Sequence, residues 1–140
     1  MEKIVFLDRD GTINEEVNYL HRTEDLKFLP GVPEALRLLK EAGFKLVVVT
    51  NQAGVARGYY TCADVEHLHA YMNEELKKYG AEIDAFYYCP HHPVHGIGIY
   101  KKVCQCRKPG TGMFLQAEER FRIDKAHSYM IGDKLLDVEA

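Results

Sequence analysis

Leu46-Val47-Val48-Val49 is an unbroken run of apolar residues, with no polar side chain alternating through it. A strand that is apolar at every position leaves no face for water, so it belongs in a sheet covered on both sides. Ile4–Leu7, Ala85–Tyr88 and Ser128–Ile131 read as three further short strands. Segments of helical period lie between them. Pro33–Ala42 sets Ala35, Leu36 and Leu39 on one face, with Pro33 in the first turn and Gly43 after the end. Thr61 and Asp64 are spaced as a capping box, and Val65, Leu68, Met72, Leu76 and Tyr79 then recur at helical spacing until Gly80. Met113–Arg122 carries Phe114, Ala117 and Phe121 on one side. Strand–helix alternation of this kind predicts an α/β fold, a three-layer sandwich around a central parallel sheet.

The length of 140 residues suits one domain over residues 1–140, large enough to bury a core without disulfide staples. Apolar residues at 46% and charged residues at 28% argue against disorder. A net charge of −3 argues against a nucleic-acid binder. No apolar run approaches the roughly 20 residues that span a bilayer, and the first residues lack the pattern of a signal peptide. The expected setting is therefore cytoplasmic, with no membrane partner. The four cysteines are Cys62, standing apart, and Cys89, Cys104 and Cys106. Such clustering points to metal or redox chemistry rather than a disulfide framework.

Open parallel sheets bind ligands outside the carboxyl ends of their strands. Here those ends are Asp8-Arg9-Asp10-Gly11-Thr12, Thr50-Asn51-Gln52 and Gly132-Asp133. Asp8 and Asp10 can face one site if the chain curls after the strand, and Gly11 permits the curl. A solvated Asx turn is the bland alternative; the chemical one is a nucleophile beside a proton donor, with Mg²⁺ holding the charge. Asp8-x-Asp10-Gly11-Thr12, Thr50, Lys108 and Gly132-Asp133-x-x-x-Asp137, in that order, resemble the four motifs of the haloacid dehalogenase superfamily of phosphotransferases. The resemblance implies that Asp8 attacks phosphorus to give an aspartyl-phosphate. Asp10 would protonate the leaving oxygen and then deprotonate water. Thr50 and Lys108 would hold the equatorial phosphoryl oxygens. Asp133 would ligate Mg²⁺ with Asp8 and the backbone carbonyl of Asp10, and Asp137 would orient Lys108 or a metal-bound water.

Cys89-Pro90-His91 and Cys104-Gln105-Cys106 together offer a Cys₃His set suited to tetrahedral Zn²⁺, with His92 and His95 as competing ligands. The intervening loop has little periodicity and no core of its own, so a metal clip would order it. Cys-Pro-His-His followed by Cys-x-Cys-Arg-Lys-Pro resembles the heptose bisphosphate phosphatases; the histidinol-phosphate phosphatases have a similar loop. Asn51–Gly58, Asn18-Tyr19-Leu20 and Glu24–Val32 favour the former. That resemblance implies a Rossmann-like core with no large cap domain, a zinc-stabilised loop over residues 89–106 that does no chemistry, and a further strand and helix beyond Ala140. It implies Mg²⁺-dependent removal of the C7 phosphate of D-glycero-D-manno-heptose 1,7-bisphosphate, in the ADP-heptose pathway of lipopolysaccharide core synthesis or a related nucleotide-heptose pathway. Asn51, Gln52, Arg57 and Arg107 are the expected substrate contacts. The rival readings are a histidinol-phosphate phosphatase and an inactive scaffold domain. The expected state is a monomer, with an unpaired sheet edge as a route to association. Cys62 is expected to be structural, His67, His69 and His127 to lie on the surface, and one of Tyr87 and Tyr88 to lie in the core.

Overall fold

The computed structural model describes residues 2–15, 19–92, 96, 98–102, 104, 106–108 and 110–132. Strands β1 (Ile4–Leu7), β2 (Lys45–Asn51), β3 (Ala85–Cys89) and β4 (Tyr129–Ile131) form one parallel sheet in the order β3-β2-β1-β4. Helices α1 (Val32–Glu41), α2 (Cys62–Lys77) and α3 (Gly112–Arg120) cover it.

The unbroken apolar strands are explained by two cores that share the sheet. Val5, Leu7, Leu46 and Val48 turn to one face and pack with Leu36 of α1 and Met72 and Leu76 of α2. Ile4, Phe6, Val47 and Val49 turn to the other and pack with Met113 and Ala117 of α3. The register pairs Val5 with Leu46 and Leu7 with Val48, so each layer is built from both central strands. Each such side chain withdrawn from water contributes about 1.5–3 kcal/mol.

The capping box at the start of α2 is present: the Thr61 hydroxyl accepts from the Asp64 N–H at 3.1 Å, and the Asp64 carboxylate accepts from the Thr61 N–H at 2.9 Å. Cys62 is the first residue of α2, with its thiol 3.8 Å from the Tyr100 hydroxyl. Ser128 does not extend β4; its hydroxyl accepts from the Ile4 N–H and donates to the Asp124 carbonyl, closing off the strand start. Tyr79 lies beyond α2 and is exposed, not part of the buried stripe. Tyr87 and Tyr88 are both half-buried, because β3 pairs on one side only among the described residues. His67 and His127 are exposed, but His69 is only 4% exposed, against expectation; the reason lies in the site.

Among the described residues β4 pairs only with β1, and its Tyr129 and Ile131 are exposed. Within the same residues, no helix is long and apolar enough to cross a membrane.

Candidate active site

β1 ends in a tight curl. Gly11 takes φ 82°, and the N–H groups of Thr12, Ile13 and Asn14 all point at the Arg9 carbonyl, at 3.2, 2.8 and 3.3 Å. A Cβ at that φ would be strained, so glycine is the residue that makes the curl. Asp8 stands at its mouth, 7% exposed, with its N–H bonded to the Ile131 carbonyl of β4.

Lys108 reaches Asp8 from the far end of the chain. Its Nζ lies 3.1 Å from Asp8 Oδ1 and donates to the Val49 carbonyl at 2.9 Å, and the residue is 2% exposed. Buried charges of opposite sign stabilise each other strongly where water is excluded. Asn51, an expected substrate contact, grips the Lys108 backbone at both ends. Its Oδ1 accepts from the Lys108 N–H at 2.8 Å and its Nδ2 donates to the Lys108 carbonyl at 3.2 Å. Asn51→Ala therefore removes a two-point clamp; kcat should fall about tenfold with a much smaller change in KM, in line with the cost of slight misplacement. Steady-state kinetics on the two parameters checks this, and an unchanged kcat would contradict it.

Asp10 is held by Arg9, Asn14 and Gln52. Arg9 Nε and one terminal nitrogen bond its two oxygens at 3.0 and 3.1 Å, Asn14 Nδ2 adds a bond at 3.0 Å, and Gln52 Nε2 a longer one at 3.4 Å. Gln52, an expected substrate contact, is 2% exposed. Its Oε1 accepts from Arg9 and from the Tyr60 hydroxyl, at 3.2 and 2.7 Å. Two donors at that end fix which end of the amide is oxygen. Nε2 is thereby aimed at Thr50 Oγ1, at 3.0 Å, as well as at Asp10. Burial pushes the Tyr60 hydroxyl up to about 12, so it remains a donor. Its ring lies against Gly54, where any Cβ would collide with it.

Arg9 is the functional residue that the sequence reading passes over, as the spacer between two aspartates. Its spacing carries no signal: a long arginine side chain near a strand end can as readily reach water, and only the fold shows it buried and paired. His69 escapes for a related reason, since its partner lies on another element. Its Nε2 is 3.1 Å from an Arg9 terminal nitrogen, and its ring stacks on Phe86. Burial, and then the Arg9 charge, hold the imidazole well below its usual range.

Arg107 is half-buried and donates to the His91 carbonyl at 3.4 Å. Arg57, also half-buried, lies over the ring of Tyr19 at 6.0 Å, and Tyr19 itself takes a left-handed φ of 58°. Asp133, Asp137 and His95 lie outside the described residues.

The ligand atoms of Cys89, His91, Cys104 and Cys106 all fall within 4.8 Å of one another. Cys89 Sγ is 3.4 Å from Cys104 Sγ and 3.6 Å from His91 Nδ1; Cys106 Sγ is 3.3 Å from that nitrogen and 3.4 Å from Cys104 Sγ. Bonds of about 2.0–2.3 Å to a central tetrahedral ion place ligand atoms at roughly these separations. The donor set therefore fits Zn²⁺, and His92 is not among the clustered residues. Burial, and then the Lys102 charge, hold the His91 imidazole below its usual range, in the neutral form that binds metal.

The family model for polynucleotide kinase 3 phosphatase matches residues 3–135. D-glycero-beta-D-manno-heptose-1,7-bisphosphate 7-phosphatase of Escherichia coli O6:H1 is 50% identical over 136 residues, covering 97% of this chain and 72% of that protein. The protein of the same name from Haemophilus ducreyi is 49% identical over 140 residues, 99% of this chain and 76% of the relative. Among solved structures, D,D-heptose 1,7-bisphosphate phosphatase from B. bronchiseptica, complexed with magnesium and phosphate, superposes with a TM-score of 0.85. It is 33% identical, and the match covers 98% of this chain and 73% of that one. The strand-end aspartates, the buried lysine and the Cys₃His cluster thus sit in a chain that belongs to the heptose 1,7-bisphosphate phosphatase family, within the haloacid dehalogenase superfamily.

Proposed function

We propose that this chain is a phosphoric monoester hydrolase that removes the C7 phosphate of D-glycero-D-manno-heptose 1,7-bisphosphate. The observation that carries the reading is the buried Asp8–Lys108 pair, 3.1 Å apart at the carboxyl end of β1. The relatives of that name, at 49–50% identity, support the choice of substrate.

Lys108 holds Asp8 Oδ1, and the carboxylate attacks phosphorus in line through its other oxygen. The ammonium also faces the charge that spreads over the equatorial phosphoryl oxygens. The Thr50 hydroxyl, whose oxygen accepts from Gln52, spends its proton only on a long 3.5 Å contact to the Asn51 carbonyl and can turn it to one of those oxygens. Asp10 delivers a proton to the leaving sugar oxygen and takes one from the water that attacks the aspartyl-phosphate. The carboxylate of Asp8, the backbone carbonyl of Asp10 and Asp133 are hard oxygen donors that would hold Mg²⁺, whose chemistry is to neutralise phosphoryl charge. The carbonyl is the apt donor from Asp10, since it leaves the carboxylate for proton transfer. The Cys₃His cluster would hold Zn²⁺ as a structural clip.

Residues 1–140 are read as one phosphatase domain, supported by two cores built on one sheet. Arg57 and Arg107 are read as contacts for the substrate's second phosphate or its hydroxyls. Action on a small molecule in the cytoplasm is supported by a net charge of −3, which offers nothing to a polyanion, and by clustered thiols that suit a reducing compartment; a monomer is the expected state.

The test is phosphate release from the heptose bisphosphate and from histidinol phosphate, with Mg²⁺ and with chelator. One equivalent of phosphate from the heptose substrate, the C1 phosphate retained, and no release in chelator are expected. A higher kcat/KM on histidinol phosphate would overturn the assignment.

A further inference from the structure

Arg9 is the largest fully buried side chain among the described residues, at 0% exposure, and it is a cation. A guanidinium out of reach of water needs its charge balanced and its N–H groups accepted. Asp10 supplies the charge through a two-point fork, the geometry that fixes a carboxylate in the plane of the guanidinium. The second N–H of that terminal nitrogen is shared between the Leu20 carbonyl at 3.3 Å and Gln52 Oε1 at 3.2 Å. The remaining terminal nitrogen meets His69 Nε2 at 3.1 Å. An arginine N–H only donates, so Nε2 must be the acceptor and the ring proton sits on Nδ1.

His69 is itself tightly placed. It sits in the buried stripe of α2 with Val65, Leu68, Met72 and Leu76. Its ring stacks on Phe86 of β3, with centroids 4.5 Å apart and planes 19° apart. Rotation of the imidazole is blocked by β3, rotation of the guanidinium by the imidazole, and rotation of the Asp10 carboxylate by the guanidinium.

We propose that His69 is a positioning residue for the reaction: it accepts from Arg9 at Nε2 and thereby fixes the fork that aims Asp10. The inference rests on the proton-transfer role proposed for Asp10. It accounts for a histidine buried on a helix outside the metal cluster, and for a cation buried between two catalytic carboxylates. A misplacement of about 1 Å at a reacting group can lower a rate roughly a hundredfold, so the effect belongs in kcat and not in KM.

Two substitutions separate this role from simple packing. His69→Phe keeps an aromatic ring on Phe86 but offers Arg9 no acceptor. His69→Gln loses the ring but presents an oxygen near the place of Nε2. The expected result is a fall in kcat of about tenfold or more for His69→Phe, with KM within about twofold, and recovery to within about threefold of wild type for His69→Gln. Nitrogen-15 NMR of histidine-labelled wild-type protein at neutral pH should show His69 protonated at Nδ1 and bare at Nε2. A ring protonated at Nε2 overturns the proposal, and does so even if His69→Phe fails to fold. Wild-type kcat in a folded His69→Phe protein overturns it too, as does a folded His69→Gln protein that is as slow as His69→Phe. If the wild-type protein released no phosphate from any ester, the functional reading would fall instead, and the NMR result would still decide which partner His69 serves.

Discussion

Asp8→Asn lowers phosphate release at least about a thousandfold while the protein still folds, the order of loss that follows removal of an essential nucleophile. An amide nitrogen or oxygen does not displace an alcohol from phosphorus as a carboxylate does. The expectation of an intact fold has a structural basis. Lys108 Nζ keeps its bond to the Val49 carbonyl, and the amide oxygen of the substituted side chain can still accept from it. Asp8→Ala would behave differently. It removes the oxygen acceptor as well as the charge from beside a buried ammonium, and leaving a buried charge with no partner costs about 3–5 kcal/mol, so loss of activity in that variant would be confounded by loss of fold. Thermal unfolding of both variants beside the kinetics checks the distinction, and residual activity above a few per cent in Asp8→Asn would contradict nucleophilic catalysis by this residue.

Cys106→Ser should release zinc and lower kcat about tenfold or more, with a smaller loss of soluble protein. Cys106 touches no substrate in this account. Arg107 and Lys108 follow it directly, and each peptide between them has only two soft dihedrals, so the clip transmits its position to the buried ammonium. The Asn51 clamp holds the same backbone from β2, which is why the loss is expected to be partial. Cys62→Ser, at the start of α2 and outside the cluster, should change neither zinc content nor kcat. Metal analysis of wild-type protein purified without added zinc should find about one Zn per chain, the stoichiometry of a closed four-ligand site. Full activity in zinc-free Cys106→Ser protein would show that the clip does not place Lys108.

The parts of this molecule legible in its sequence are those coded by local spacing. Leu46–Val49 announces a strand buried on both sides because every position is apolar, and the structure divides those residues between the two cores. The Thr61–Asp64 box is reciprocal by chemistry, so four residues suffice to fix the start of α2. The cysteines and His91 are rare, chemically distinct residues whose grouping survives without knowledge of the path between them. What escapes is the direction of polar side chains where β2 ends. Period-two alternation puts Thr50 and Gln52 on one side and Asn51 on the other. Gln52 accordingly reaches Thr50 and Asp10, while Asn51 reaches Lys108. Arg9–His69 is beyond local reach altogether, since it joins the end of β1 to the middle of α2.

The aspartyl-phosphate on Asp8 is open to direct detection by rapid-quench mass spectrometry. Enzyme mixed with the heptose bisphosphate and Mg²⁺, quenched in acid within a turnover and digested, should carry one added phosphoryl group on the peptide containing Asp8, absent from the Asp8→Asn variant. Phosphate release with a pre-steady-state burst but a phosphoryl group on any other residue, or turnover with none on the protein at any time, would contradict it.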